Sequence, residues 1–216
     1  MATPTMSMNK VIHGAIRRDL RRFNEALASF LDGDRERAAA LHRAWENFDE
    51  QLTHHHEGEH EIGWPAMREV GFDSATLDVF DEEHERMAAA LAEARGVMER
   101  FAASATRADA DAAAASMARL EQATVTHLDH EERETEPVFA EHAGSPAMKE
   151  MSKKFSRSLS PGAAGVYMAW LQDGAGPEES AALRSTIPPP VLAVFTKILG
   201  RRYRREVAPV WSSSPR

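Results

Sequence analysis

A histidine, a glutamate four residues later and a proline six residues beyond that occur twice in this chain, as His55, Glu59 and Pro65 and again as His127, Glu131 and Pro137. One more histidine precedes each set, His13 lying 42 residues before His55 and His84 lying 43 before His127. Equivalent positions are therefore offset by 71 or 72 residues. A spacing of four puts two side chains on one face of an α-helix. The repeat thus constrains this part of the chain to a helical hairpin used twice, with polar groups at matching places in each copy.

Helix punctuation agrees with that reading. The first helix is predicted from about Ser7 to Leu31, ending at Asp32-Gly33-Asp34. The second runs to about Val70, where Gly71 suits a C-terminal cap. The third begins near Asp73 or Ser74 and lasts to about Ala103. Thr106 with Asp109 resembles a capping box opening the fourth, which continues to about Glu141. Short connections make neighbours antiparallel, so the predicted fold class is all-α: an up-and-down antiparallel four-helix bundle with additional C-terminal helices. Residues 1–145 are expected to form the bundle and residues 146–216 a helical extension packed on it. In that extension, Ser160-Pro161-Gly162, Gly174 to Pro177 and Pro188-Pro189-Pro190 separate shorter helices, expected over Gly162–Leu171, Glu178–Arg184 and Val191–Arg205.

At about 100° per residue, the repeated polar groups fall on the stripes that build the core. On the second helix Leu41, Phe48, His55, Glu59, Ile62 and Ala66 share one face, and on the fourth Leu120, His127, Glu131 and Val138 do. His13 lines up with Met6, Leu20, Leu27 and Leu31, and His84 with Leu77, Phe80, Ala88 and Leu91. Trp45, Phe48, Phe80 and Met87 read as core packing. His13 and His55 lie 20 and 22 residues from Gly33, and His84 and His127 about 21 from the turn near Ala105. With a rise of about 1.5 Å per residue, all four imidazoles meet at one level.

Composition narrows the chemistry available there. There are no cysteines, which removes disulfides, thiolate metal sites, iron–sulfur clusters and cysteine nucleophiles. The net charge of −8 is uneven: residues 149–216 carry 11 Lys/Arg against 5 Asp/Glu, leaving 15 against 29 in residues 1–148. An acidic body is a poor partner for nucleic acid, which needs a basic surface. No apolar run is long enough to span a bilayer, and Met1–Lys10 is polar rather than a signal segment. A cytoplasmic protein is expected.

Six polar side chains, His13, His55, Glu59, His84, His127 and Glu131, therefore converge in an apolar setting. Left unpaired, each would be costly to desolvate. A pair of cations removes that cost, with glutamates spanning both metals and imidazoles filling outer positions. Imidazole and carboxylate without thiolate suit iron, manganese or zinc.

With these residues in place the chain resembles the hemerythrin-like, HHE-type cation-binding family. The motifs that carry the resemblance are Val11-Ile12-His13-Gly14-Ala15-Ile16-Arg17-Arg18-Asp19-Leu20, His54-His55-His56-Glu57-Gly58-Glu59-His60 leading to Trp64-Pro65, Glu83-His84-Glu85, and His127-Leu128-Asp129-His130-Glu131-Glu132. They cover roughly residues 7–142. The resemblance implies a non-haem di-iron centre, two iron ions bridged by an oxo or hydroxo group and by Glu59 and Glu131. It also implies small-ligand chemistry with dioxygen, nitric oxide or hydrogen peroxide.

One departure bears on the ligand set. Oxygen-carrying members place two histidines one turn apart on the third helix, whereas the positions four residues either side of His84 are Phe80 and Ala88. Either one iron keeps a vacancy or His60 fills it, although His60 lies about 140° round from His55. His54 and His56 sit off the stripe and are expected at the surface. His56 pairs with His60 at a spacing of four, but its counterpart Leu128 cannot bind a metal. His42, His130 and His142 are also read as surface residues, and Glu134 as either an outer partner of an imidazole or part of a solvated rim.

A less saturated pair shifts weight from carrier towards sensor or peroxide chemistry. The expected function is a di-iron protein that binds dioxygen, nitric oxide or peroxide as sensor, store or carrier. The alternatives are a catalase-like or peroxidase-like enzyme and a bundle that metal merely stabilises. The basic run Arg201-Arg202-Tyr203-Arg204-Arg205 after Val191, Phe195, Ile198 and Leu199 either meets an anionic membrane or partner, or packs on its own protein.

Overall fold

The structure, a computed structural model, describes residues 6–212. Residues 1–5 of the polar N-terminal stretch and residues 213–216 lie outside the described residues. Every regular element among those described is helical. The first part comprises α1 (Met8–Ala28), α2 (Arg35–Gly58), a π-helical segment (Glu59–Gly63), α3 (Trp64–Glu69), α4 (Ser74–Ser104) and α5 (Arg107–His142).

Side chains at the helix starts take up backbone N–H groups that have no partner within the helix. Ser7 accepts from the Lys10 N–H, Asp34 from Arg37, Asp73 from Ala75 and Thr76, and Thr106 from Asp109. Substituting such a cap by alanine typically costs about 1 kcal/mol. Gly71 (φ 86°) follows α3 in the left-handed region that glycine enters without penalty, as expected from its place in the sequence. Ala105 adopts φ 53° between α4 and α5, where its N–H bonds the Phe101 carbonyl.

The four long helices pack in a closed ring, α1 against α2 and α5, and α4 against α2 and α5. The two tight turns lie at the same end, because the Gly33 N–H donates to the Ala105 carbonyl at 2.8 Å and the Arg107 N–H to Asp32 at 2.7 Å. From that end an apolar core of Leu20, Phe23, Leu27, Leu41, Phe48 and Phe101 fills the interior. A second apolar cluster, Trp64, Met67, Leu77, Phe80 and Met148, lies further along. On α2, α4 and α5 the repeated histidines and glutamates fall between the residues of these two clusters. No described helix is long and apolar enough to cross a membrane.

The rest of the chain forms α6 (Pro146–Ser158), α7 (Pro161–Gln172), α8 (Pro177–Thr186), α9 (Pro189–Val194), a second π-helical segment (Phe195–Leu199), α10 (Arg201–Glu206) and α11 (Ala208–Ser212). α6 was not among the helices expected, although Ser145 caps it and Pro146 occupies its first turn. The helix expected over Val191–Arg205 is broken at Gly200, which meets Gly165 of α7 so closely that an added Cβ would stand 2.6 Å from the Gly165 carbonyl oxygen. That segment packs through Leu192 and Tyr203, while Val191 and Ile198 of the expected apolar stripe are 43% and 60% exposed.

A buried polar clamp ties these helices to α1. Asp19 accepts from the Trp170 indole at 2.7 Å and from Arg18 at 2.8 Å, while the Tyr203 hydroxyl and Arg22 both reach Asp173. The apolar core continues from α1 and α2 through Tyr167, Trp170, Leu183 and Val210.

Candidate metal centre

All six residues expected to converge do so. His13 of α1 and His55 of α2 face each other with their Nε2 atoms 3.0 Å apart, and His84 of α4 and His127 of α5 do the same at 2.9 Å. Glu59, at the start of the π-helical segment, sets Oε1 3.0 Å from His55 Nε2 and Oε2 3.4 Å from His84 Nε2. Glu131 Oε2 lies 3.2 Å from His13 Nε2 and 3.9 Å from His127 Nε2. Each glutamate therefore reaches one histidine of both pairs. The donors form two groups that share Glu59: His13, His55, Glu59 and Glu131, and His56, Glu59, His84 and His127. Within each group the ligand atoms all lie within 4.8 Å of one another.

The cluster is largely buried and incompletely satisfied. His13, His55, Glu59, His127 and Glu131 are each no more than 5% exposed. Both oxygens of Glu59, Glu131 Oε2 and His56 Nε2 are buried without a hydrogen-bond partner. The 3.0 Å approach of Glu59 to His55 is close in distance but lacks the direction of a hydrogen bond. Native proteins rarely leave such atoms unpaired, and four at one point call for an explanation. A donor set of imidazole nitrogens and carboxylate oxygens around shared gaps fits divalent or trivalent cations.

Protonation follows from the same geometry. Burial would lower the pKa of His13, but Glu131 and Glu132 outweigh it and raise it. Burial would raise Glu131, yet His13, His127 and an Asn9 hydrogen bond hold it down. Glu59 has no such support, and burial together with the Glu131 charge pushes it well up. His55 and His56 are held well below the usual range by burial and by their fellow imidazoles, and His84 is lowered to about 4 by burial and His127. Without a cation, these shifts favour the neutral forms of Glu59, His55, His56 and His84 and the charged forms of His13 and Glu131. Cation binding would displace the protons on Glu59 and His13.

Outer carboxylates orient two of the rings. His13 Nδ1 donates to Glu132 at 2.9 Å, and His127 Nδ1 donates to Glu83 at 2.9 Å. Both carboxyls stay ionised: hydrogen bonds from His13 and Arg17 outweigh burial at Glu132, lowering it to about 2, and those from His127 and His130 lower Glu83. With Nδ1 so engaged, Nε2 is the nitrogen presented to the interior. Glu83 and Glu132 each directly adjoin a candidate ligand in the sequence, but nothing in their spacing identified this role.

Three sequence expectations need correction. His60 is 67% exposed at its side chain and bonds Asp81 at 3.1 Å, so it does not fill a metal position. His56 is not a surface residue; its ring lies tilted beside that of His84 with centroids 4.6 Å apart. His130 is half-buried and donates to Glu83 rather than standing free in solvent. Glu134 pairs with Arg133 at the rim, the second of the two readings its position allowed.

The signal for His56 lay in its distance from Glu59 rather than from His55. At about 100° per residue Glu59 stands roughly 40° from His55 and 60° from His56, so it lies between them. The π-helical segment begins at that glutamate, its last turn closed by the Trp64 N–H on the Glu59 carbonyl. Pro65 alone does not account for it, since Pro137 sits inside a continuous α5. Gly58 and Gly63 bracket the first case, where the second has His130 and Thr135, and glycine weakens the α-helical alternative.

A closed ring of helices with buried imidazoles and carboxylates at one level defines a helical cation-binding protein. A profile of the hemerythrin HHE cation-binding domain matches residues 9–139, and the chain belongs to that family. Comparison with curated proteins and with solved structures returned no significant match.

Proposed function

We propose that the chain holds a pair of non-haem iron ions in an up-and-down four-helix bundle and binds dioxygen or a related small ligand, nitric oxide or peroxide, as a sensor, store or carrier. The observation that carries this reading is the placement of Glu59 and Glu131, each within reach of a histidine from both pairs. In this reading His13 and His55 hold one cation, His84 and His127 hold the other, and the two carboxylates span them. When bound, such a pair supplies reversible electron exchange with dioxygen-class ligands, which the side chains alone cannot do.

The protein's own share is positioning and exclusion of water. Glu132 and Glu83 fix the rings of His13 and His127, and misplaced outer partners typically cost about 10–100-fold in metal affinity. The apolar clusters on either side keep bulk water from the donors. Tyr167 of α7 packs against His54, and burial raises its phenol pKa, so its hydroxyl keeps its proton. In this scheme residues 146–216 are an extension packed on the bundle that completes the wall around the centre.

The test is elemental analysis of full-length protein from iron-fed cells, with absorption spectra before and after adding oxygen, nitric oxide or peroxide. Two irons per chain and a coloured adduct that releases its ligand intact are expected. Fewer than two irons would remove the paired centre. Peroxide consumed faster than by free iron would replace binding with catalysis.

A further inference from the structure

The repeat supplies two histidines to each half of the centre, yet a fifth imidazole reaches the same cluster. His56 places its Nε2 in the interior, shielded from solvent and without a hydrogen-bond partner. Its ring lies 4.6 Å from that of His84, 5.6 Å from His127 and 5.2 Å from His55. It forms a four-donor group with Glu59, His84 and His127. Its counterpart in the second half, Leu128, is fully buried in the apolar core.

We propose that His56 is the third nitrogen donor of the cation position formed by His84 and His127, which makes the two positions unequal. The inference rests on the paired-cation reading above and adds a ligand to it. One position then has the imidazoles of His56, His84 and His127 and the other those of His13 and His55, with the spanning carboxylates common to both. Neither residue one turn from His84, Phe80 or Ala88, can bind a metal, so α4 provides a single donor. α2 makes up the shortfall, because His55 and His56 belong to different donor groups that share Glu59. His60, the other histidine of α2 near this level, is turned outward to Asp81.

The competing explanation is that His56 is a packed ring filling space between His55 and His84. Leucine, which the second half carries at this position, separates the two. Metal-free full-length protein and its His56→Leu and His60→Ala variants would be titrated with Co(II), whose visible absorption reports both number and type of donors. Wild type is expected to bind two Co(II). His56→Leu should keep one at unchanged affinity and bind the other about 10–100-fold more weakly, with an altered spectrum. His60→Ala should match wild type.

Two Co(II) at wild-type affinity with an unchanged spectrum in His56→Leu would overturn the proposal while leaving the paired centre standing. Fewer than two in wild type would bring down the paired centre itself, and this inference with it. If His56→Leu loses helical content by circular dichroism, His56→Asn, which keeps a polar side chain of smaller reach, carries the same comparison.

Discussion

The hairpin of α1 and α2 and the hairpin of α4 and α5 carry the same histidine, glutamate and proline spacing, but they are built into the molecule differently. In the first, the helix opens into a π-helical segment at Glu59; in the second, α5 runs unbroken through Glu131 and Pro137. The first half also has glycines where the second has larger groups. Gly14 corresponds to Glu85, and Gly58 to His130. Both glycines lie under the C-terminal helices: a Cβ at Gly14 would collide with Glu179 of α8, and one at Gly58 would stand 2.7 Å from the Phe155 ring of α6. Glu85, by contrast, is exposed. One half is therefore shaped to be covered and the other to face solvent, although both deliver ligands to the same level.

The electrostatics of the two glutamates differ in the same way. Glu131 Oε1 accepts a hydrogen bond from Asn9, whereas neither oxygen of Glu59 has a hydrogen-bond partner. The largest expected effect follows from this. Because Glu59 belongs to both donor groups and Glu131 to one, Glu59→Leu should empty both cation positions and Glu131→Leu chiefly one, read as metal per chain. In metal-free protein the order reverses. Glu59→Leu should stabilise by about 1–3 kcal/mol, since it removes an unpaired buried carboxyl. Glu131→Leu should destabilise by about 1–3 kcal/mol, since it leaves the Asn9 amide and His13 Nε2 without their buried carboxylate. Thermal unfolding that moved the same way in both variants would break the contrast.

A smaller effect tests the covering of the first half. Gly58→Ala should cost about 1 kcal/mol, overpacking against Phe155 exceeding the modest helical gain of alanine. Phe155→Ala in the same chain should cancel that cost in a double-mutant cycle measured by denaturant unfolding. Additive effects would mean that α6 does not bear on Gly58. The smallest effect belongs to His60. Its exposed pair with Asp81 predicts that His60→Ala changes stability by less than about 0.5 kcal/mol, as scanning calorimetry would register.

Much of this was readable along the chain. Helix order and most boundaries came from caps and turn residues, as at Ser7, Asp73, Thr106 and Gly71, which act over three or four residues. The level at which His13, His55, His84 and His127 meet came from counting residues to the turns, because helical rise is constant. The places where reading failed are those where a helix stops being regular or meets a distant neighbour. His56 was read against His55 and not against Glu59, so its buried place beside His84 was missed, and the π-helical segment after Gly58 lies outside any uniform 100° step. Nothing along the chain marked Glu83 or Glu132 as partners of the rings; the packing of α4 on α5 brings Glu83 to His127 and His130, and that of α1 on α5 brings His13 to Glu132.

By itself, then, the amino-acid order determined a twice-used helical hairpin and the six side chains directed to one layer inside it. Both are written in local periodicity. Which further groups enter that layer, which nitrogen each ring presents and which half is roofed by later helices were decided only in the folded molecule. Those outcomes depend on contacts between residues more than a hundred positions apart, such as His13 with Glu132, and on small losses of helical regularity that no periodic pattern records.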